Sequence, residues 1–203
     1  KIVSGLVLTC LGGPEYTLSI KHSRKHWLGE KSSIDCFLDK LCRNESNSFV
    51  AREFTPTSGS DERQFCSPSI NLPIIQAART VYGQYEQYHT SLDNKEFMSI
   101  NSVLDSIDKI LFFLKVYELE GKYLGPTIKG GEPMLGKRDL YPTLNSWTTW
   151  EMSDDGHIDG REQFDLRLNI ISLVDGQRRL SEIVDKLNSS YRKIVPIVEE
   201  LIE

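Results

Sequence analysis

A short apolar run with reactive side chains on both sides, between Ser58 and Asn94, restricts the possible folds of this chain more than any other feature. Its centre, residues 70–75, is rich in isoleucine and bounded by turn residues, which predicts a short strand covered on both faces. Residues 61–64 supply two carboxylates, a guanidinium and an amide, and residues 88–94 place a histidine four residues before a carboxylate. Because open α/β sheets carry functional groups in the loops at strand ends, the stretch predicts a site beside a buried strand.

The residues before this stretch predict strands and a covering helix. Strands are expected over residues 1–11 and 16–20, joined by a Gly-Gly-Pro turn as a hairpin or adjacent pair. Residues 32–43 have helical apolar spacing with a serine N-cap, and residues 49–54 alternate as a strand. This β-α-β spacing favours an α/β class with a mixed sheet and covering helices.

A long helix is predicted after the stretch, over residues 95–119. Its apolar residues recur at i, i+3, i+4 and i+7, so we expect them to form one buried face without a chemical role. They are Ile100, Val103, Leu104, Ile107, Ile110, Leu111 and Leu114.

The C-terminal two fifths of the chain divide into two segments of different composition. Residues 121–160 are punctuated by glycine and proline, which favours a linker or hairpin. Residues 161–203 predict three short amphipathic helices, over 164–174, 181–187 and 190–202, typical of a helix-turn-helix or winged-helix-like module. The predicted organisation is therefore an α/β domain over 1–120, a linker over 121–160 and a helical module over 161–203.

Composition excludes several classes of protein. With 39% hydrophobic and 26% charged residues in 203, the chain has an ordinary globular composition. A net charge of −5 argues against nucleic acid as a partner, and no apolar run reaches the roughly 18 to 20 residues that span a bilayer. The four cysteines lack paired CxxC spacing, which favours reduced thiols, and no signal peptide is visible, so we predict a cytoplasmic location.

Several ordered blocks of this sequence resemble the second half of the aminopeptidase-like zinc-hydrolase family related to the M28 metallopeptidases. The resemblance covers residues 59–64 (Gly-Ser-Asp-Glu-Arg-Gln), Cys-Ser-Pro, Asn-Leu-Pro, and Tyr-His-Thr-Ser-Leu-Asp-Asn, and continues over residues 131–143. One departure is Ser69, where the family pattern has glycine. The resemblance implies part of a phosphorylase/hydrolase-like mixed sheet with covering helices, followed by the winged-helix domain that the family commonly carries.

The resemblance also implies roles around a metal centre. His89 would be a zinc ligand, and Asp61 would be an active-site acid that handles protons near the metal. Asp93 is a candidate to accept a hydrogen bond from the second imidazole nitrogen of that ligand and so fix its tautomer.

Three further residues are expected to bind substrate. Arg63 and Gln64 are candidates to bind the carboxylate or amide of a peptide or small amide substrate. Arg24, in a Ser-Arg pair, matches a pair that faces the cleft of the family.

A pair of catalytic zinc ions needs roughly five protein ligands, and the remaining family ligands come from earlier blocks that this chain lacks. The chain also begins without an initiator methionine. We therefore expect the C-terminal part of a longer zinc-dependent hydrolase, which would cleave an amide or peptide bond with metal-activated water. This part alone is expected to be inactive.

Three alternatives remain open from the sequence. A non-catalytic, peptidase-like interaction protein would also lack most ligands. In the terminal helices, Arg192 and Lys193 are outweighed by glutamates, which favours contact with a protein partner or a second copy over DNA binding. His22 and His26 have HxxxH spacing, but no glutamate follows the first histidine, so a solvated basic loop is favoured over a metal site.

Overall fold

The computed structural model of the chain describes residues 2–126, 130–138, 140–141 and 160–202, with side chains from residue 162 onwards in the last range. The chain divides into two units, Lys1–Tyr117 and Glu118–Glu203. The predicted linker over 121–160 lies largely outside the described residues, so its extent stays a prediction.

A four-stranded mixed sheet forms the centre of the first unit. Its strands are β1 (Gly5–Thr9), β2 (Leu18–Lys21), β3 (Phe49–Arg52) and β4 (Ile74–Ala78). The order across the sheet is β1-β4-β2-β3, with β1 parallel to β4, β2 parallel to β3, and β2 antiparallel to β4. The ends of β2 and β3 therefore meet the starts of β1 and β4 at one edge, which we call the β2–β3 end.

Two predicted strand features are wrong in detail. β1 and β2 are not adjacent, because β4 lies between them and pairs with both. The central strand begins at Ile74 rather than at residue 70, because Asn71 adopts a left-handed conformation (φ 47°) and Pro73 has no N–H for the sheet. Ile70 consequently lies outside the strand and is half exposed.

Three helices lie between the strands of this unit, and two of them are short and one is long. They are α1 (Arg24–Trp27), α2 (Ser33–Asn44) and α3 (Glu62–Phe65). The prediction of a helix over 32–43 is confirmed, since the Ser32 side chain accepts a hydrogen bond from the Asp35 amide as an N-cap. The buried face of α2 packs Phe37, Leu38 and Leu41 into the core.

The long helix α4 (Ile100–Glu120) exists, but its predicted buried face is wrong. Of the seven residues in the predicted stripe, only Ile110 is buried, and the other six are between 38% and 79% exposed. The face that is buried carries Ser106, Lys109, Phe113 and Val116. This α4 outer row of exposed apolar side chains comprises Ile100, Val103, Leu104, Ile107, Leu111 and Leu114.

Polar contacts explain why α4 buries this face and not its apolar stripe. The Lys109 ammonium donates to the Asp105 carboxylate at 2.6 Å and to the Tyr16 carbonyl, and the Ser106 hydroxyl donates to the Leu11 carbonyl at 2.9 Å. Arg79, directly after β4, donates to Asp105 and to the Ser102 carbonyl. Because buried polar groups need partners, this network orients the helix against the apolar periodicity of its sequence.

The second unit consists mainly of helices. α5 (Gly160–Leu173), α6 (Leu180–Leu187) and α7 (Tyr191–Ile202) confirm the three predicted helices, and a short 3₁₀ turn covers Leu135–Arg138. The Glu120 carboxylate accepts hydrogen bonds from the amide and hydroxyl of Ser181, both at 2.7 Å, at the start of α6. A mixed sheet with covering helices, followed by a small unit of helices, is the fold class that the sequence predicted.

Among the described residues, no helix has both the length and the apolar character needed to cross a bilayer.

Candidate functional site

Asp61 lies on an exposed turn whose conformation is fixed by the buried side chain of its neighbour, Glu62. Asp61 directly precedes α3, and Glu62, the first residue of that helix, is completely buried. Glu62 Oε1 lies 2.5 Å from Lys21 Nζ, and neither side chain is exposed to solvent. Glu62 Oε2 accepts a hydrogen bond from the Ser60 amide at 3.0 Å, and a Cβ at Gly59 would lie 2.5 Å from the same carboxylate. The turn that presents Asp61 therefore requires both the buried carboxylate and the glycine.

The Lys21 ammonium joins three parts of the unit at this point. It lies at the end of β2 and donates to the Ser58 carbonyl at 3.0 Å and to the Tyr82 hydroxyl at 3.3 Å. The Lys21 ammonium also lies over the ring of Phe54, 5.5 Å from the ring centroid. A buried ammonium with a carboxylate and two further acceptors is fully satisfied, so the geometry of the turn is fixed relative to β2 and Tyr82.

A second, partly buried cation supports the same region from the sheet. Arg52, at the end of β3, donates from Nε to Ser19 Oγ at 2.7 Å and from Nη2 to Gln76 Oε1 at 2.8 Å. Burial lowers the pKa of Arg52, whereas the neighbouring Tyr82 phenol and Glu62 carboxylate act in the opposite direction.

His89 lies on the long loop that follows β4, and its imidazole is exposed. Its backbone is left-handed (φ 58°), and its ring stacks on Tyr88 with centroids 3.9 Å apart. Tyr88 contacts the rings of Tyr85 and Tyr82 at centroid distances of 5.6 and 6.2 Å, and Tyr85 stacks on Phe97 at 5.0 Å. Since Tyr82 also contacts Lys21, this aromatic group links the histidine loop to the buried support of the Asp61 turn.

The other residues that were predicted as site residues in this stretch are also exposed to solvent. Arg63 and Gln64 lie on α3, and Asp93 lies on the loop after β4. Among the described residues, no hydrogen bond or ion pair joins His89 to Asp61 or to Asp93, and no group of three potential metal donors includes His89. The described part of the chain thus supplies one imidazole for a zinc ion there, which is not a sufficient ligand set, and the predicted roles stay predictions.

The Ser-Arg pair is held by a buried carboxylate. Asp35 accepts hydrogen bonds from the Ser23 amide at 2.8 Å and from the Ser23 hydroxyl at 2.6 Å. Arg24 then donates from Nη1 to Asn71 Oδ1 at 2.9 Å. Arg24 is therefore tied to the loop before β4, and both segments lie at the β2–β3 end.

Cys66 connects α3 with the same loop. It is completely buried, and its thiol donates to the carbonyls of Leu72 and Ile74 at 3.4 and 3.2 Å. This thiol packs as a small core residue with Phe54 and Ile74, and it does not line an open site.

Sequence reasoning missed two residues that organise this region, Lys21 and Tyr82. The available signal for Lys21 was a lysine at the end of a predicted buried strand, where a charged side chain needs a partner. No periodicity identifies Tyr82, because its contact with Lys21 depends on the path of the loop after β4.

Comparisons with known proteins match both units. A family model described as a domain of unknown function, DUF4910, matches residues 1–120, and a winged helix-turn-helix model matches residues 125–203. A Clostridium acetobutylicum protein, provisionally named a polysaccharide biosynthesis protein with an aminopeptidase-like domain, is 31% identical over 193 residues. That match covers 95% of this chain and 40% of the clostridial protein.

A solved structure is also similar to this chain. The crystal structure of a provisionally named peptidase from Clostridium acetobutylicum matches with a TM-score of 0.65 and 27% identity. The match covers 99% of this chain and 40% of that chain, so the present chain spans about two fifths of the relatives it matches. These names support a peptidase-like family. Because the first family model covers more than half of the 203 residues, the chain belongs to the DUF4910 family.

Proposed function

We propose that this chain is part of a peptidase-like hydrolase that cleaves an amide or peptide bond. The observation that carries the proposal is the buried Lys21–Glu62 ion pair, which fixes an exposed turn bearing Asp61. A buried ion pair contributes little net stability compared with apolar packing, so its presence directly under exposed acidic and basic side chains favours a positioning role. The similarity to the aminopeptidase-like clostridial protein supports the same class of reaction.

Zinc dependence is the finer part of this proposal. In the proposed enzyme, His89 supplies one ligand, and the remaining donors come from residues outside this chain. Bound zinc would supply a Lewis acid and a water of lowered pKa. The exposed imidazole, held by stacking on Tyr88, is free of hydrogen bonds in the described residues and is therefore accessible to such a partner.

The other candidate residues have roles that their exposure permits. Asp61, on its fixed turn, would accept or return a proton at the reacting amide. Arg63 and Gln64, on the same short helix, would bind the carboxylate or amide of a peptide or small amide substrate. Arg24 has one nitrogen committed to Asn71, so its proposed role is to orient that loop as well as to contact substrate.

Replacement of His89 by alanine in the full-length protein tests the assignment. We expect loss of at least one equivalent of bound zinc, measured by elemental analysis, and loss of hydrolysis of aminoacyl amides and peptides. Asp93→Asn, on the same exposed loop, tests the tautomer role predicted for Asp93 and should reduce zinc affinity by about 10- to 100-fold without abolishing it. Unchanged zinc content in the His89 variant would remove the metal assignment, and unchanged hydrolysis would remove the catalytic one.

A non-catalytic interaction role is the second candidate, and the α4 outer row favours it. Six apolar side chains on one helix face are exposed in the described part of the chain, and such rows often bind another protein surface. The two functions differ in a simple measurement. A scaffold would hydrolyse no amide at full length, and His89→Ala would leave its zinc content unchanged, whereas the proposed enzyme would hydrolyse amides and would lose zinc on that substitution.

We propose that the winged-helix unit contacts protein, or a second copy, rather than DNA. Lys193 on α7 donates to Glu162 at 2.9 Å, and Glu199 and Glu200 add negative charge to the same helix. DNA binding usually depends on uncompensated basic side chains. Retention on DNA at low salt that Arg192→Ala and Lys193→Ala abolish would contradict this proposal.

A further inference from the structure

Two imidazoles and two carboxylates form a cluster at the β2–β3 end, separate from the residues assigned above. His22 directly follows β2, His26 lies in α1, and Glu53 directly follows β3. One donor atom from each of these three residues lies within 4.8 Å of the others. Asp39 on α2 adds a carboxylate oxygen 2.9 Å from His22 Nε2. We call these four residues the His22 cluster.

The prediction of a solvated basic loop here is wrong for His22. Its side chain is only 3% exposed, because β2 ends beside β3 and directs the ring between the β3 end and α2. The HxxxH spacing therefore brings the two rings together across the start of a one-turn helix rather than along a regular one.

The hydrogen bond at Nδ1 of His22 determines what its other nitrogen can do. Nδ1 lies 3.1 Å from the Arg52 carbonyl oxygen, which can only accept, so Nδ1 carries a proton. In that tautomer, Nε2 presents a lone pair towards Asp39 Oδ1 at 2.9 Å, and a cation held between these two acceptors would satisfy both. Metal-binding histidines typically donate their second N–H to a carbonyl in this way.

His26 lies directly against His22. Its ring stacks on that of His22 with centroids 3.8 Å apart and planes inclined by 12°. Its Nδ1 atom is buried without a hydrogen-bond partner in the described residues, 3.3 Å from Glu53 Oε2. Its Nε2 atom lies 3.7 Å from Asp39 Oδ2, beyond hydrogen-bond distance. A buried polar atom such as Nδ1 is rarely left without a hydrogen bond, and a cation would satisfy it.

We propose that the His22 cluster binds one divalent transition-metal ion, with zinc as the best match to its donors. The two imidazoles and the Glu53 carboxylate provide a mixed nitrogen and oxygen set of the type that zinc binds, with Asp39 beside His22, whereas calcium and magnesium prefer oxygen ligands alone. Donors around tetrahedral zinc are about 3.3 Å apart, so the separations of up to 4.8 Å must shorten. Glu53 and Asp39 are 70% and 44% exposed and are free to rotate inwards.

The bound ion would have a structural effect that follows from the elements it joins. It would tie the end of β2, α1, α2 and the end of β3, next to Arg24, without any contribution from His89. The two carboxylates would balance its charge. The proposal does not depend on the hydrolase assignment, since its readouts are metal binding and thermal stability of this chain.

Zinc titration of the metal-free 203-residue chain tests the proposal. We expect one equivalent of ZnCl₂ to bind, with a rise in the unfolding temperature, and CoCl₂ to give the visible absorption of a four-coordinate site. His26→Ala should weaken zinc binding at least about 100-fold, and Glu53→Gln at least about 10-fold. Both side chains are partly exposed, so these variants should remain folded by circular dichroism. Glu30→Gln, which changes an exposed carboxylate that pairs with Lys25 of α1, is the matched control and should bind zinc as the parent chain does.

Nitrogen-15 spectra of the imidazoles provide an independent readout. Zinc should shift one ring nitrogen each of His22 and His26 and leave the His89 signals unchanged. Absence of stoichiometric zinc binding by the parent chain at micromolar concentration would overturn the proposal. Equal affinity of the parent and His26→Ala chains, or loss of binding in Glu30→Gln alone, would overturn it as well.

Discussion

The turn that carries Asp61 and the loop that carries His89 both present exposed polar side chains, but they are supported by different physical forces. The Asp61 turn rests on the Lys21–Glu62 ion pair, which has no exposure to solvent. The His89 loop rests on ring contacts between tyrosines, with a histidine stacked at its surface. Charge pairs in a buried environment are strongly distance-dependent and specific in geometry, whereas aromatic stacking tolerates small displacements.

This difference is consistent with the roles proposed for the two residues, with a rigid support under Asp61 and an adaptable one under His89. A group that transfers protons must be held within a fraction of an ångström of its target, which a buried ion pair can achieve. A ligand that completes a centre with residues from elsewhere benefits from a support that adjusts as the other donors arrive. Tyr82 belongs to both supports, because its hydroxyl accepts from Lys21 and its ring contacts Tyr88.

Replacing Glu62 with glutamine should have the largest effect. The substitution leaves the fully buried Lys21 ammonium without a counter-charge, which costs about 3 to 5 kcal/mol in free energy of unfolding. Urea unfolding, followed by circular dichroism, measures this loss. In the full-length protein, the same change should reduce hydrolysis more than it reduces zinc content.

A double variant separates the charge from the packing. Lys21→Met combined with Glu62→Leu removes both charges together, and should restore most of the stability that Glu62→Gln loses. If Glu62→Gln alone changed the unfolding free energy by less than about 1 kcal/mol, the contrast between the two supports would be lost.

The base of the His89 loop is held by charge as well, and its pH dependence is predictable. Burial acts against ionisation of Asp105, but hydrogen bonds from Lys109 and Arg79 outweigh it and hold the pKa of Asp105 below its usual value. A lowered pKa in the folded state means that this stabilisation is present above the unfolded value of about 4 and is lost as pH falls through the folded value.

Asp105→Asn should therefore reduce stability by about 1 to 2 kcal/mol near pH 7, allowing for solvent screening of this partly exposed group. Parallel unfolding curves from pH 7 to pH 3 measure the difference. We expect the parent and variant curves to converge as the pH falls below 4. A difference independent of pH would show that packing, rather than the charge, orients α4.

Part of this organisation could be predicted from sequence, because it depends on local patterns. The α2 helix with its Ser32 N-cap and the three C-terminal helices follow from apolar spacing and capping residues within a few positions. The resemblance blocks placed Asp61 and His89 in loops beside one strand, and both lie there.

Other parts depend on contacts between distant residues, which periodicity does not report. The orientation of α4 follows from the contacts of Arg79 with Asp105, 26 positions later, and these override the apolar stripe. The pairing of β4 with β2 could not be read from the turn between β1 and β2, because strand order depends on the whole sheet. His22 and His26 were judged from sequence neighbours, whereas their carboxylate partners come from α2 and the end of β3.

Tyr82→Phe tests whether the two supports communicate. It removes only the hydroxyl that accepts from Lys21, so we expect a loss of about 1 kcal/mol in stability with the ring packing intact. Amide hydrogen exchange should increase in both the Asp61 turn and the His89 loop. An increase confined to the turn would show that the ring contacts hold the loop independently.

His89→Ala should have the smallest effect on stability. The ring is exposed and has one stacking contact, so the expected change in unfolding free energy is within about 0.5 kcal/mol. Alanine in a left-handed backbone conformation is strained, and His89→Asn, which tolerates that conformation better, separates backbone strain from loss of the ring. If alanine destabilises the chain and asparagine does not, the backbone accounts for the loss. If both destabilise it by more than 1 kcal/mol, the imidazole supports the loop structurally, and the adaptable ligand role proposed for it would have to be abandoned.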